Sequence, residues 1–247
     1  MSALDARREA QIRANITHVN ERIAAAARRA RRHPTEVRII AVTKTVPIED
    51  ILVAHQAGLS EFGENRVEEA TEKIPLCRAK VYARWHMVGH LQRRKVRDAI
   101  ALFDSIQSVD TVALAEKISR LCVEAGRVMP ILLEMNVSGE ESKYGFAAAN
   151  VLHDASAFDS LCVDVERILA LPGVRVEGLM TVAPIAPEAE MVRPHFRALR
   201  RLQEALRRRF PAANWSELSM GMTDDFEVAV EEGATMVRLG RAIFHRE

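Results

Sequence analysis

Strand-like apolar runs alternate with amphipathic helical segments along most of this 247-residue chain. Eight runs have the length and composition of β-strands, at residues 37–43, 61–63, 84–88, 102–109, 130–137, 176–182, 217–220 and 236–239. Helical periodicity is clearest between them, at residues 48–57, 67–73, 112–125, 193–209 and 224–232. Because strands that alternate with helices pair in parallel through right-handed crossovers, this order predicts an α/β fold with a parallel sheet.

The number of strand–helix units separates two parallel folds. Eight units close a (β/α)8 barrel of the TIM type, whereas five or six would favour an open doubly wound sheet. No G-x-G-x-x-G sequence follows a strand, so nothing favours the open sheet. A further helical pattern precedes the first strand from residue 5 to residue 32, and Pro34 ends it. The longest loop-like region, residues 147–158, is too short to separate domains. We therefore expect one domain over residues 1–247, with an extra N-terminal helix within residues 1–33 packed on the barrel.

Composition argues against several classes of protein. The 35 basic and 34 acidic residues nearly cancel. Basic clusters at residues 28–32, 93–97 and 200–209 are interleaved with apolar positions, which favours solvated helix faces over nucleic-acid contacts. No segment approaches the roughly 20 apolar residues of a membrane helix, and the charged start of the chain does not resemble a signal peptide. We expect a cytoplasmic protein.

Cysteine and histidine positions do not indicate a metal site. Cys77, Cys122 and Cys162 occur singly, which is typical of buried thiols rather than of a disulfide framework or a zinc site. His86 lies on the predicted strand 84–88 and His90 lies just beyond its end. At the spacing of residues in a strand they would lie about 13 Å apart, too far to share one zinc ion. The sequence therefore predicts no metal.

Lys44 directly follows the first predicted strand. Side chains that perform chemistry in a barrel lie at the C-terminal ends of the strands, so this amine is expected at the barrel mouth. A lysine among apolar walls and near other cations loses part of its proton affinity, as imine formation requires. The alternative is an ordinary surface charge.

The last two strand ends carry residues suited to a phosphate monoester. Barrels commonly bind phosphate with the loops after strands seven and eight. Ser219 offers a hydroxyl, Gly221 permits close approach of the backbone, and Gly240 and Arg241 open a terminal turn with free N–H groups. The alternative for Gly221 is a purely structural turn. An amine that faces a phosphate site suggests pyridoxal 5′-phosphate.

Arg238 lies two residues before Gly240, so both should face the inside of the barrel. One candidate partner for its guanidinium is the pyridine nitrogen of the cofactor. Because arginine remains protonated, it would leave that nitrogen unprotonated and weaken the ring as an electron sink. The alternative is a salt bridge to Glu61 or Glu64.

Six motifs together resemble the pyridoxal phosphate homeostasis protein family, which is related to the N-terminal barrel of alanine racemase. They are residues 41–44 (AVTK), 62–65 (FGEN), 85–92 (WHMVGHLQ), 136–146 (NVSGEESKYGF), 178–181 (GLMT) and 218–225 (LSMGMTDD). The resemblance spans roughly residues 37–244 and implies a (β/α)8 barrel. It further implies a vitamin B6 carrier or regulator with no established enzyme activity. Such a protein would hold pyridoxal phosphate and hand it on to apo-enzymes that require it.

The same resemblance implies which residues bind the cofactor. Pyridoxal phosphate would be held as an imine on Lys44, with Asn65 lining the ring pocket and Arg238 at the pyridine nitrogen. Ser219 with its neighbour Met220, Gly240, and the backbone of Arg241 would bind the phosphate. A threonine is common in the family where Arg241 stands, so only its N–H carries over.

Residues needed for catalysis are not evident. Racemases of this barrel type use a tyrosine from a second β domain as the other base, and 247 residues leave no room for that domain. Tyr82 and Tyr144 are the only tyrosines. We therefore assign no catalytic residue and expect a monomer.

Two alternatives stay open: a racemase or decarboxylase that uses Tyr144 or Lys143 as a second base, and a nucleic-acid or protein-binding module. Lys143 is also a candidate second amine for the aldehyde.

Overall fold

Eight parallel strands close into a barrel in the computed structural model, which describes residues 3–245. The strand order is β4-β3-β2-β1-β9-β8-β7-β5, and pairing of β4 with β5 closes the ring. The strands are β1 (Arg38–Val42), β2 (Glu61–Glu64), β3 (Arg84–Met87), β4 (Ser105–Val109), β5 (Met129–Asn136), β6 (Phe146–Ala147), β7 (Val174–Met180), β8 (Glu217–Ser219) and β9 (Met236–Leu239). Strand β6 is a two-residue addition that pairs with β5. The predicted TIM-type barrel is confirmed.

Helices surround the barrel and cover its outer face. They are α1 (Ala3–Arg29), α2 (Ile48–Gln56), α3 (Val67–Arg78), α4 (Val96–Leu102), α5 (Val112–Glu124), α6 (Ala155–Leu169), α7 (Arg193–Arg209), α8 (Phe226–Glu231) and α9 (Arg241–Phe244). Because parallel strands here are covered on both faces, consecutive residues such as Ile39, Ile40 and Ala41 are all buried. No helix among residues 3–245 is long and apolar enough to cross a membrane.

The apolar core consists of two clusters of buried residues. The larger one lies between the strands and the helices, and the smaller one fills the inside of the barrel. Ile40, Val88, Leu132, Met180 and Met236 form the inner cluster. Polar residues occupy other inward positions, so the barrel interior is apolar only in part.

Helix α1 precedes the barrel and packs against α2, α8 and α9. Its apolar stripe includes Ile12, Ile16 and Val19, all buried. Arg8 donates to Asp50 Oδ2 at 2.8 Å and to the Phe244 carbonyl at 2.9 Å, so it joins the two ends of the chain. This is the predicted N-terminal helix; residues 1–2 and 246–247 of the predicted domain lie outside the described residues.

Several sequence-based boundaries were wrong. Helix α1 ends at Arg29 rather than at residue 32, before Pro34, and α3 continues to Arg78 rather than ending at residue 73. The predicted strand 102–109 begins too early, because Leu102 closes α4 and β4 starts at Ser105. The predicted loop 147–158 includes the first turn of α6. Asp154 caps that helix by accepting from the N–H groups of Ser156 at 3.0 Å and Ala157 at 3.1 Å. This cap fixes the start of α6 inside a segment without a strong apolar pattern.

Candidate functional site at the carboxyl end of the barrel

Lys44 follows β1 at the mouth of the barrel, as its position after the first strand predicts. The strand ends at Val42, and Thr43 continues the pairing by donating its N–H to the Gly63 carbonyl at 2.9 Å. The Lys44 side chain is exposed. The amine is therefore open to solvent, and not enclosed among the apolar walls that its sequence context predicts.

A buried lysine fixes the backbone on both sides of Lys44. Lys73 on α3 donates to the Thr43 carbonyl at 2.7 Å, to Glu64 at 2.8 Å and to Glu69 at 2.6 Å. Glu69 also accepts from the Thr45 N–H at 2.5 Å, and Thr45 has a positive φ of 59°. We call Lys73, Glu64 and Glu69 the Lys73 clamp. Sequence reasoning missed it, although Glu69 and Lys73 are spaced as an i,i+4 pair.

Burial raises the pKa of the Glu64 carboxyl, and the hydrogen bonds from Lys73 and Thr43 oppose this effect. Glu64 is fully buried, so the Lys73 ammonium is the charge that compensates it. The Lys73 clamp thus depends on an ion pair from which water is excluded.

The structure brings Lys44 together with two residues from the other end of the chain. A cavity of about 460 Å³ is lined by Lys44, Gly240 and Arg241, together with Val42, Val46 and Phe244. Strand β9 pairs with β1, which explains why residues so distant in sequence meet. This volume lies in the usual range for small-ligand sites. A Cβ on Gly240 would lie 3.3 Å from the Val42 carbonyl, so glycine keeps the gap between the two strand ends open.

The loop after β8 is shaped by Gly221. Its φ is +93°, and an added Cβ would lie 2.5 Å from the Ala229 Cβ on α8. The Gly221 carbonyl accepts from the Arg238 N–H at 2.9 Å. Glycine is therefore needed here for the turn and for packing on α8, whether or not a ligand is bound.

The side chain and the backbone N–H of Arg241 differ in their surroundings. Its guanidinium is paired with Asp224. Its backbone N–H lies at the first residue of α9, where an N–H has no acceptor within the helix. The Arg241 guanidinium is therefore engaged by Asp224, and the phosphate contact predicted for its backbone N–H stays a prediction.

Arg238 lies inside the barrel, as predicted from its spacing to Gly240. It is 5% exposed, and it donates to Ser219 Oγ at 2.8 Å and to the Thr181 carbonyl at 2.8 Å. The alternative salt bridge is wrong, because Glu61 pairs with Arg38 and His86, and Glu64 pairs with Lys73. Burial lowers the pKa of Arg238 to about 10, with the nearby Glu134 and Asp225 opposing the shift. The guanidinium is therefore charged at neutral pH.

Ser219 and Met220 are both fully buried. The Ser219 hydroxyl donates to Gln107 Oε1 at 2.6 Å and accepts from Arg238, so it connects β8, β4 and β9 inside the barrel. The Met220 N–H donates to the Met236 carbonyl at 3.1 Å, and its side chain belongs to the outer core. In the structure both residues thus have partners within the protein.

Asn65 directly follows β2 and lines a second cavity of about 590 Å³ rather than the cavity of Lys44. His90, after β3, lines the same second cavity.

Tyr144 and Lys143, the two candidate second bases, each contact another side chain. The Tyr144 ring stacks on His90 with centroids 3.7 Å apart, and His90 Nδ1 is 3.1 Å from Asp110 Oδ2. Lys143 pairs with Glu140 at 2.5 Å. The two residues considered as alternative bases are thus both in contact with other side chains.

Glu134 on β5 is a buried carboxyl that the sequence did not single out. It is 7% exposed, and its Oε2 has no hydrogen-bond partner among the described residues. Burial and the neighbouring Asp110 raise its pKa to about 7, while Arg238 acts in the opposite direction. A glutamate at the centre of a mostly apolar strand (ILLEMN) was the available signal.

These groups fit a phosphorylated pyridine aldehyde. An exposed amine meets the loop after β9, where Gly240 allows the backbone to come close. A buried guanidinium and a buried carboxyl with an unpaired oxygen lie at the same end of the barrel. The amine suits an aldehyde, the N–H group suits a phosphate, and the buried groups suit a polar ring.

Comparison with known proteins gives consistent matches. Residues 14–246 match the family described as alanine racemase, N-terminal domain. A pyridoxal phosphate homeostasis protein of Aquifex aeolicus is 39% identical over 229 residues, which cover 93% of this chain and 95% of that protein. Among solved structures, a protein of unknown function from Bifidobacterium adolescentis has a TM-score of 0.84 and 35% identity, covering 99% and 97% of the two chains. PipY of Synechococcus elongatus, solved with pyridoxal phosphate bound, has a TM-score of 0.76 and 34% identity, covering 92% and 99%.

Proposed function

Because this chain belongs to the pyridoxal phosphate homeostasis protein family, with the alanine racemase N-terminal domain as its fold, we propose that it binds pyridoxal 5′-phosphate and serves vitamin B6 homeostasis. The observation that carries the proposal is the cavity in which Lys44 meets Gly240 and Arg241. When bound, the cofactor supplies an aldehyde that condenses with a primary amine and releases water.

Each residue of the site has a proposed task. Lys44 holds the aldehyde carbon covalently, and the Lys73 clamp keeps the backbone around Lys44 in place. The backbone at Gly240 and Arg241 would bind the phosphate. Ser219 would support the neighbouring loop from inside the barrel, and Met220 from the outer core. Arg238 would donate to the pyridine nitrogen. Asn65 lines the neighbouring cavity, so its proposed contact with the ring requires the ring to extend towards that cavity.

We propose that the protein holds and releases the cofactor rather than using it for catalysis. The exposure of Lys44 supports this, since an open site admits water and competing amines to the attached aldehyde. The contacts of Tyr144 with His90 and of Lys143 with Glu140 leave neither residue free as a second base. Apo-enzymes that need the cofactor are the proposed recipients.

The racemase alternative is tested by incubating the protein, loaded with cofactor, with L-amino acids in deuterated water. We expect no exchange of the α-proton beyond the rate of free pyridoxal phosphate. Exchange at rates typical of an enzyme would replace the carrier proposal with a catalytic one.

The binding proposal is tested with a Lys44→Ala variant and a matched Lys80→Ala variant, in which another exposed lysine is removed. After incubation with pyridoxal 5′-phosphate and gel filtration, wild type and Lys80→Ala should retain the absorbance of the covalently bound cofactor. Lys44→Ala should lose it. Equal spectra for all three proteins would remove Lys44 from the proposal, and a wild type that takes up no cofactor would remove the function itself.

A further inference from the structure

Among residues 3–245, Glu134 is a buried carboxyl group with an oxygen that no hydrogen bond satisfies. Glu134 pairs in register with Met180 of β7, and Met180 belongs to the inner cluster together with Leu132, two residues before Glu134. Glu134 therefore faces the barrel interior, near the carboxyl end of β5. It is 7% exposed, and its Oε2 has no hydrogen bond to any described residue.

Two charged groups act on Glu134. Asp110, at the end of β4, disfavours the ionised carboxyl and is itself in contact with His90. Arg238 on β9 favours it, but no ion pair joins Arg238 to Glu134, since the guanidinium is directed to Ser219 and Thr181. On the β7 side, Met180 carries no charge.

A buried carboxyl in this situation is unfavourable to the ligand-free protein. Leaving a buried polar group without a partner carries a desolvation penalty, which is larger if the group is charged. A ligand oxygen that reaches Glu134 would relieve this penalty. The phosphorylated pyridine aldehyde of the proposed function carries anionic oxygens, which a protonated carboxyl can bind as a donor and an ionised carboxyl repels.

We propose, on the basis of the proposed function, that Glu134 is a ligand-binding group of the barrel that takes up a proton when pyridoxal phosphate binds, so that retention of the cofactor weakens as pH rises. Burial raises the pKa of Glu134 to about 7, so in this role the carboxyl would change its protonation state in the neutral pH range. The protonated form holds the ligand, and the ionised form favours its release.

The test compares the affinity of wild type, Glu134→Gln and Glu140→Gln for pyridoxal 5′-phosphate at about pH 6 and about pH 8. The pKa of Glu134 is about 7, so the ligand-free carboxyl is mostly protonated at pH 6 and mostly ionised at pH 8. If only the protonated form binds, wild-type Kd should rise about tenfold across this range through Glu134 alone. Glutamine imitates the protonated carboxyl, so Glu134→Gln should lack this rise. Glu140 is an exposed carboxyl on the neighbouring loop, and its variant should follow wild type.

Glu134→Asp provides a second comparison, because it keeps a titrating carboxyl and should restore part of the pH dependence. If the variants do not fold, calorimetry of wild type with pyridoxine 5′-phosphate, which lacks the aldehyde, should detect proton uptake near pH 7.5 in buffers of different ionisation enthalpy. Equal pH dependence in wild type and Glu134→Gln, or no proton uptake, would overturn the role of Glu134 alone. No binding to wild type at either pH would instead overturn the proposed function.

Discussion

Individual residues of the site owe their positions to hydrogen bonds inside the barrel. Arg238 holds Ser219 and the Thr181 carbonyl, and Ser219 extends the connection to Gln107. Strands β9, β8 and β4 and the residue after β7 are thus linked by side chains in addition to the backbone ladder. These hydrogen bonds pair the polar groups of a barrel interior that is only partly apolar, and such a paired network favours a single arrangement of the side chains.

Glu134 should also affect the stability of the ligand-free protein. Its folded-state pKa is raised above 4.5 to about 7, so between these values the folded state binds more protons than the unfolded state. Stability therefore falls as pH rises through this window, by on the order of 3 kcal/mol for one buried carboxyl. Glu134→Gln should remove the fall, and urea unfolding at several pH values measures it.

The matched variant for this measurement is Glu140→Gln, which removes an exposed carboxyl. Its unfolding free energy should follow wild type over the same range of pH. A Glu134→Gln protein whose stability declined with pH as steeply as wild type would show that Glu134 does not titrate in this window.

Sequence reasoning located some site residues and missed others for a physical reason. Lys44, Gly240 and Arg241 follow strands, and in a barrel the residues after adjacent strands meet, so their proximity could be predicted. Glu134 and Lys73 lie within elements. Which way such side chains face depends on strand register and helix rotation, and β5 also has an irregular register with β7.

At the scale of elements, the Lys73 clamp joins α3 to the ends of β1 and β2. Lys73→Met would leave Glu64 buried without a cation and the Thr43 carbonyl without its donor. Breaking one partner of a buried ion pair is expected to cost about 3–5 kcal/mol. We predict this loss in urea unfolding, together with slower covalent attachment of the cofactor at Lys44.

Lys95→Met is the matched control, since Lys95 pairs with the exposed Glu68 and such pairs contribute about 1 kcal/mol or less. Combining Lys73→Met with Glu64→Gln should recover part of the stability, because the fully buried position 64 then carries no charge and only the partly exposed Glu69 has lost its cation. Similar losses in Lys73→Met and Lys95→Met would argue against a clamp at β1.

The loop after β8 depends on Gly221. In Gly221→Ala, the new methyl group would clash with Ala229 on α8 in addition to the strain of a positive φ. Gly58→Ala is a useful comparison, because Gly58 has a φ of +101° but no atom within 4 Å of the added Cβ. We predict a lower Tm for Gly221→Ala than for Gly58→Ala, and strain alone costs about 1–3 kcal/mol. Equal values of Tm for the two variants would mean that α8 moves enough to accommodate the new methyl group without loss of stability.

For the whole molecule, the alternation of eight strands with helices was enough to predict a closed barrel, because few folds with a parallel sheet contain eight strand–helix units. The start of α6 could not be predicted from apolar periodicity, since a single side chain, Asp154, sets it. The packing of α1 against α2, α8 and α9 was likewise not predictable, because an apolar stripe on a helix indicates burial but not a partner.

The covalent attachment of pyridoxal phosphate to Lys44 is tested most directly by borohydride reduction of the loaded protein, followed by intact mass measurement and peptide mapping. We predict one pyridoxyl group per chain, on the peptide that contains Lys44. An unmodified protein, or a pyridoxyl group on Lys143 or another lysine while Lys44 stays free, would contradict it.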